Sequence, residues 1–202
     1  MTSASGGTRP SNSKASQRRR AAIEEATRTL LRSQDAAKIA VADIAEEAEV
    51  SIATIYNLVG TRDQLLANVL DSYVTQLAAV LGDEPTHTDD PEAATIAVIT
   101  AACDTSLEDP LPLRAVLREL GPLNLAETKG DGIAGLLAPR LIAAGAAAPA
   151  AHEAARLIVY AYRGALISWA HGLIDDTQFR ADSELAARRL VTATLNNGNE
   201  TA

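Results

Sequence analysis

Apolar residues recur every three or four positions along most of this 202-residue chain, the spacing that lines one face of a helix. Ile23, Ala26, Leu30 and Leu31 place a first helix over about residues 16–32. Val41, Ile44, Ala45 and Ala48 predict a short second one, the pattern breaks at Glu49-Val50, and Ser51 stands where it caps a third helix with Ile55 inward and Tyr56 near its end. Thr61 and Gln64 have the form of a capping box. From there Leu65, Leu66, Val69, Leu70, Tyr73, Val74, Leu77 and Val80 carry a helix to Gly82, a rod of about 30 Å.

A polar stretch, Gly82 to Pro91, separates this part from the rest. Beyond it the pattern predicts helices at roughly 92–107, 111–120, 132–144, 149–172 and 182–195, divided by Pro110, Gly121-Pro122, the Gly130–Gly132 turn, Pro149 and Gly172. No stretch alternates apolar and polar residues in the manner of a strand, so the expected fold class is all-α. The two short helices joined by a tight turn form a helix-turn-helix, an arrangement that carries its second helix into the DNA major groove.

Charge sharpens this picture. The chain carries a net −8, but residues 1–62 hold nine Lys/Arg against seven Asp/Glu, a net +2 that leaves −10 for the remainder. Only the N-terminal part suits phosphate, and the acidic remainder would repel DNA and confine contact to one end. Residues 1–15 are small and polar and are expected to form a disordered arm. It runs into Arg18-Arg19-Arg20, which either engages phosphates and the minor groove or solubilises the terminus. Hydrophobic residues make up 47% of the chain, enough for a core. One cysteine, Cys103, allows no internal disulfide, and no long apolar run with charged flanks opens the chain. The expected compartment is the cytoplasm, with no membrane involvement.

The run Asp43-Ile44-Ala45-x-x-Ala48-x-Val50-Ser51-x-x-Thr54-Ile55-Tyr56, followed by Thr61-Arg62-Asp63-x-Leu65-Leu66, resembles the TetR family of bacterial transcriptional regulators over roughly residues 17–70. The resemblance implies a disordered arm (1–15), a helix-turn-helix DNA-binding domain (16–66) and a helical effector-binding and dimerisation domain (67–202). It implies a homodimer on a double-stranded inverted-repeat operator, acting as a repressor that a small-molecule effector releases. By the same resemblance Thr54 and Tyr56 lean toward phosphate, Ile52, Ala53 and Asn57 toward base edges, and Arg18, Arg19, Ser51, Thr61 and Arg62 complete the DNA-contacting set. Tyr56 can alternatively be a core aromatic with an exposed hydroxyl, and Lys38 a solvated loop charge.

The chain departs from the family pattern at four positions, with Glu49 and Ala53 where glycine is usual, Ile52 for a polar residue and Val59 for Phe. At Glu49 the turn is either strained or differently opened, because a positive φ costs a residue with a Cβ about 1 kcal/mol. Ile52 either touches a thymine methyl or leaves that base unread.

In the C-terminal part, residues 149–172 are apolar on more than one side, with Leu157 beside a small-residue stripe of Ala161, Gly164, Ala165 and Ser168. Together with Leu190 of the following helix these are the candidate dimer interface, half of a four-helix bundle; the other reading is a central helix of a monomer. Candidate linings of an effector pocket are Tyr73, Cys103, Arg114, Arg118, Arg140, Arg163 and Trp169, each also explicable as core or surface.

Enzyme patterns do not assemble. Gly130-Asp-Gly132-Ile-Ala-Gly135 matches G-x-G-x-x-G with no strand before it. His87, His152 and His171 lack metal-ligand spacing, and Asp89-Asp90 and Asp175-Asp176 fall at expected turns. No catalytic residue, metal or cofactor is expected. The alternatives to a ligand-released repressor are a DNA-binding protein that is effector-independent or controlled by a protein partner, and a helical enzyme using the C-terminal cavity.

Overall fold

A computed structural model of the chain describes residues 11–81, 90–124 and 132–199. Among these residues there are nine α-helices, one 3-10 turn and no strand: α1 (Ser11–Ser33), the 3-10 turn (Ala36–Lys38), α2 (Val41–Glu47), α3 (Ile52–Leu58), α4 (Arg62–Leu81), α5 (Pro91–Glu108), α6 (Pro110–Asn124), α7 (Gly132–Ala143), α8 (Ala148–Ala170) and α9 (Asp176–Asn199). The all-α class read from the periodicity is the class observed.

The first three helices and the start of α4 form a head. Ile23 and Leu31 of α1, Ile39, Ile44 of α2, Ile55 of α3 and Leu66 of α4 meet in its core, each essentially removed from water. Burying side chains of this size stabilises by roughly 1.5–3 kcal/mol each. The capping box at the head of α4 is formed: the Thr61 amide donates to Gln64 Oε1 (2.8 Å) and the Gln64 amide to Thr61 Oγ1 (3.3 Å).

The remaining helices form a body in which α8 packs along both α7 and α9, and α5 along α9. Its largest buried groups include Ile99 of α5, Leu117 of α6, Leu137 and Leu141 of α7, Trp169 of α8 and Phe179 of α9. α4 runs from head to body and packs on α5 and α6 as well as on α1.

Three boundaries differ from the sequence pattern. Helix α1 begins at Ser11, so residues 11–15 are helical where an arm was expected, and the rest of that arm lies outside the described residues. α6 continues through Gly121 and Pro122 to Asn124; a proline in a last turn removes one hydrogen bond without ending the helix at once. α9 starts at Asp176 rather than 182 because Asp175 caps it: the Gln178 amide donates to Asp175 Oδ1 (2.8 Å) and the Phe179 amide to the Asp175 carbonyl (2.9 Å). Phe179, wholly buried, stacks on Trp169 with centroids 5.2 Å apart.

Candidate functional site

Three helix ends in this protein close with the same pair of hydrogen bonds, the residue after the cap pointing back to the third carbonyl and its successor to the fifth. After α7 the pair is Gly145 to Ile142 and Ala146 to Leu141, and after α8 it is Gly172 to Trp169 and Leu173 to Ser168. Both turns use glycine at positive φ, 99° and 74°. The turn after α2 is built identically, Glu49 to Glu46 (3.1 Å) and Val50 to Ala45 (2.9 Å), but the residue at φ 52° is Glu49. It is the one non-glycine residue at positive φ among those described. The turn therefore keeps the geometry a glycine would give it, and the glutamate bears the strain.

That turn aims α3. Ser51 caps it, its Oγ accepting from the Thr54 amide (3.1 Å) and lying 2.8 Å from Thr54 Oγ1. Ile55 is the anchor, fully buried, and the opposite side of the helix faces solvent. Ile52 (45% exposed), Ala53, Tyr56 (54% exposed) and Asn57 form this outer face, with Ser51 exposed and Thr54 half-buried at its edge. Tyr56 is thus not a core aromatic. A seven-residue helix with one buried isoleucine and four outward side chains is a presented element, held by its neighbours and contributing little to the core. Arg18, Arg19 and Arg20 are exposed on the early turns of α1, Thr61 is exposed at the start of α4, and Lys38 is exposed.

Arg62 is placed differently from the expectation that it meets a phosphate. Its Nε donates to the Ile39 carbonyl (2.9 Å), one terminal nitrogen to the Ala36 carbonyl, and that nitrogen also lies 2.9 Å from Glu119 of α6. The guanidinium is spent tying the 3-10 turn to α4 and to the body, adding a second donor to the Ala36 carbonyl, which already accepts from the Ile39 amide (3.1 Å).

A second junction was not legible in the sequence. Arg32 of α1 makes a two-pronged contact to Asp109, at 3.1 Å from Nε and 2.7 Å from a terminal nitrogen. These charge-assisted bonds hold its pKa well above the ordinary arginine value. Arg28 lies 3.9 Å from the same carboxylate and 4.8 Å over the Tyr73 ring, and Tyr73 donates its hydroxyl to the Asp109 carbonyl (2.7 Å). Asp109 sits between α5 and α6, 77 residues from Arg32, and no local pattern links such distant positions.

Tyr73 also lines a partly open cavity of about 80 Å³ between α4, α5, α6, α7 and α8. Its walls are mostly Leu70, Val74, Leu77, Leu113, Val159 and Leu166, with Thr105, Ser106, Tyr162 and Arg163 as the other polar groups. Burial pushes the Tyr73 hydroxyl up to about 12, against the opposing pull of Arg28. The Tyr162 hydroxyl, also raised by burial, lies 2.9 Å from Ser106 Oγ, and both reach the Ala102 carbonyl.

Of the seven residues expected to line an effector site, Tyr73 and Arg163 line this cavity. Cys103 is fully buried elsewhere in α5, its thiol pushed up to about 11 by desolvation. Arg114 pairs with Asp176 (2.9 Å) and stacks on Trp169, whose indole nitrogen donates to the same carboxylate (2.6 Å). Arg118 donates to the Ala170 carbonyl, and Arg140, buried with its pKa lowered by desolvation, donates to Leu136. Arg114, Arg118 and Trp169 thus tie α6 to the end of α8 and the start of α9, while two nitrogens of Arg140 are buried without a partner.

On α8 the stripe of small residues is outward. Gly164 is exposed, Ala161, Ala165 and Ser168 are half-exposed, and Leu157 (40% exposed) and Tyr160 flank them; Leu190 of α9 is half-buried. Nothing lies within 4 Å of where a Cβ on Gly164 would stand. Among the described residues no group of His, Cys, Asp or Glu could hold a metal ion, and no helix is long and apolar enough to cross a membrane. His87, Asp89 and Gly130 lie outside the described residues.

Head, presented helix and long connecting α4 define a helix-turn-helix protein with a separate helical body. No family model and no curated protein matches the sequence. Solved structures do. A TetR transcriptional regulator from Rhodococcus sp. RHA1 aligns over 88% of this chain and 98% of its own at 23% identity and a TM-score of 0.66. The TetR family repressor AlkX from Dietzia sp. strain DQ12-45-1b, implicated in biodegradation of n-alkanes, aligns over 87% and 96% at 25% identity and 0.58. RolR in complex with resorcinol aligns over 89% and 95% at 18% identity and 0.56. The chain has the fold of the TetR-family transcriptional regulators, from its helix-turn-helix head to its C-terminal helical body.

Proposed function

We propose that the protein is a transcriptional regulator that binds an inverted-repeat operator as a homodimer and is released from it by a small molecule held in the body. The observation that carries this reading is α3, anchored by Ile55 and presenting Ile52, Ala53, Tyr56 and Asn57 to solvent. In the major groove Asn57 supplies an amide for a base edge, Ile52 and Ala53 apolar contact to thymine methyls, and Tyr56 and Thr54 hydroxyls for phosphate. Arg18 and Arg19 add phosphate charge, while Ser51 and Thr61 mark the two helix starts nearest the backbone. Arg62 acts as the strut that fixes α4 under the head.

Dimerisation is supported by Gly164. A mid-helix glycine costs about 1 kcal/mol relative to alanine, and nothing in the protomer requires it. Close approach of a partner helix over Ala161, Gly164, Ala165 and Ser168, with Leu157 and Leu190 beside them, supplies a reason. The twofold then sets two α3 helices about one turn of DNA apart, or somewhat more.

Release follows from the position of Tyr73. It faces the cavity on one side and, through Asp109, Arg28 and Arg32, grips α1 on the other. A ligand that shifts α4 moves the head with it, and induction requires tighter binding to the DNA-incompetent arrangement, typically by about 1–3 kcal/mol. The narrowness of the cavity favours a second reading, a cytoplasmic DNA-binding protein with no effector.

The test is titration of the protein against the DNA upstream of its own gene at several salt concentrations. The expected result is preference for a palindromic site with affinity falling linearly in log salt. Equal binding to palindromic and random duplexes refutes the reading.

A further inference from the structure

Two polar side chains in the cavity wall have no partner. Thr105 is 5% exposed, and its hydroxyl makes no hydrogen bond. Arg163 of α8 is half-buried and pairs with no carboxylate. Every other polar lining side chain is already satisfied within the protein. No Asp or Glu among the described residues lines this cavity.

A half-buried guanidinium lining a mostly apolar cavity without an acidic partner is best matched by an anion. An amine would be repelled, a neutral alkane would leave the charge unmet, and a dianion would find one cation in an otherwise apolar chamber. Size narrows the class further. A dry cavity of about 150 Å³ accepts benzene, whereas this partly open one offers about 80 Å³. The occupant is therefore compact.

We infer that this cavity binds a compact apolar monocarboxylate, its ring or short chain among Leu77, Val159 and Leu166, its carboxylate on Arg163 and Thr105 donating to it. The inference rests on reading the cavity as the effector site. It goes beyond that reading in assigning the chemical class.

The experiment measures binding of benzoate, benzyl alcohol and benzylamine, and of hexanoate and hexanol, to the full-length protein by calorimetry and thermal shift at pH 7.5 and fixed ionic strength. Each acid should bind at least ten-fold tighter than its alcohol, with no binding of the amine. In Arg163→Gln that preference should vanish while affinity for the alcohols holds, and Thr105→Val should weaken the acids several-fold. Equal binding of acid and alcohol, a preference that survives in Arg163→Gln, or no binding of either acid overturns the inference, leaving Arg163 a cation at the cavity rim. Operator binding measured on the same preparation separates the two failures: protein that binds palindromic DNA but neither acid retains the regulator reading and loses the ligand class.

Discussion

Replacing Glu49 with glycine should stabilise the head even though no favourable contact is added. At φ 52° the glutamate occupies the left-handed region, which costs a residue with a Cβ roughly 1–2 kcal/mol. Glycine removes that cost and loses about 0.5–1 kcal/mol through its freer unfolded chain. The carboxylate also shares a surface hollow with Asp43, Glu46 and Glu47, so its removal relieves a few tenths of a kcal/mol of like-charge repulsion. The net gain expected is about 0.5–1.5 kcal/mol. Glu49→Ala provides the control, because it removes the charge and keeps the Cβ; the difference between the glycine and alanine variants isolates the backbone contribution. Urea unfolding at one fixed protein concentration reads both, since a dimer's apparent stability depends on concentration. If glycine proves no more stable than alanine, the turn is not left-handed in solution and the strain argument fails. Both variants should bind DNA more tightly than the parent, having lost a negative charge beside α3.

Four further outcomes are expected. Gly164→Leu should leave the protomer folded, since that side of α8 is open, yet overpacking a symmetric contact twice costs about 2–6 kcal/mol, or roughly 30-fold or more in dimer dissociation by sedimentation equilibrium; an unaltered dimer places the interface elsewhere. Arg62→Gln should lower stability by about 2 kcal/mol and leave the salt slope of DNA binding unchanged, whereas a slope flattened by one unit at full stability would make Arg62 a phosphate ligand after all. Tyr56→Ala should weaken binding to every duplex without unfolding the head, because half of that side chain is exposed; unchanged affinity removes Tyr56 from the contact surface. Burial raises Cys103 from 9.0 to about 11 and Tyr73 from 10.0 to about 12, so the folded state holds both protons longer than the unfolded one. That stability is complete below pH 9 and is lost as pH climbs through 9–11 and then 10–12. Cys103→Ala should therefore soften the first part of the alkaline decline in urea midpoint, and an identical curve would show the thiol does not contribute.

The fold was legible because its signals are local. Helical spacing around Ile23, Ile44, Ile55 and Leu66, the Ser51 cap and the Thr61–Gln64 box each lie within a turn or two of chain, and all appear where the pattern put them. At Glu49 the departure from glycine marked the position but left two geometries open, and the φ of 52° in the structure decides for the strained one. Local rules carried no sign of the contacts that join distant segments. Arg62 has the charge and position of a phosphate ligand, and only the tertiary fold shows it turned onto Ala36, Ile39 and Glu119. Asp109 gave no warning of its two arginines and a tyrosine. Arg114, Arg118 and Trp169 were expected near a ligand on composition alone, and packing shows them bracing the α8–α9 corner.

The corner at Asp109 bears on how portable this reading head is. Three side chains from two helices of the N-terminal half converge on one acid and its carbonyl, so a head excised near the middle of α4 would keep its own small core yet lose the buttress that orients it. Grafted onto a foreign scaffold, it should lose its fixed direction unless the recipient offers an acid at the matching bend. The boundary that matters for building chimeras therefore runs through α6, downstream of the Asp109 corner.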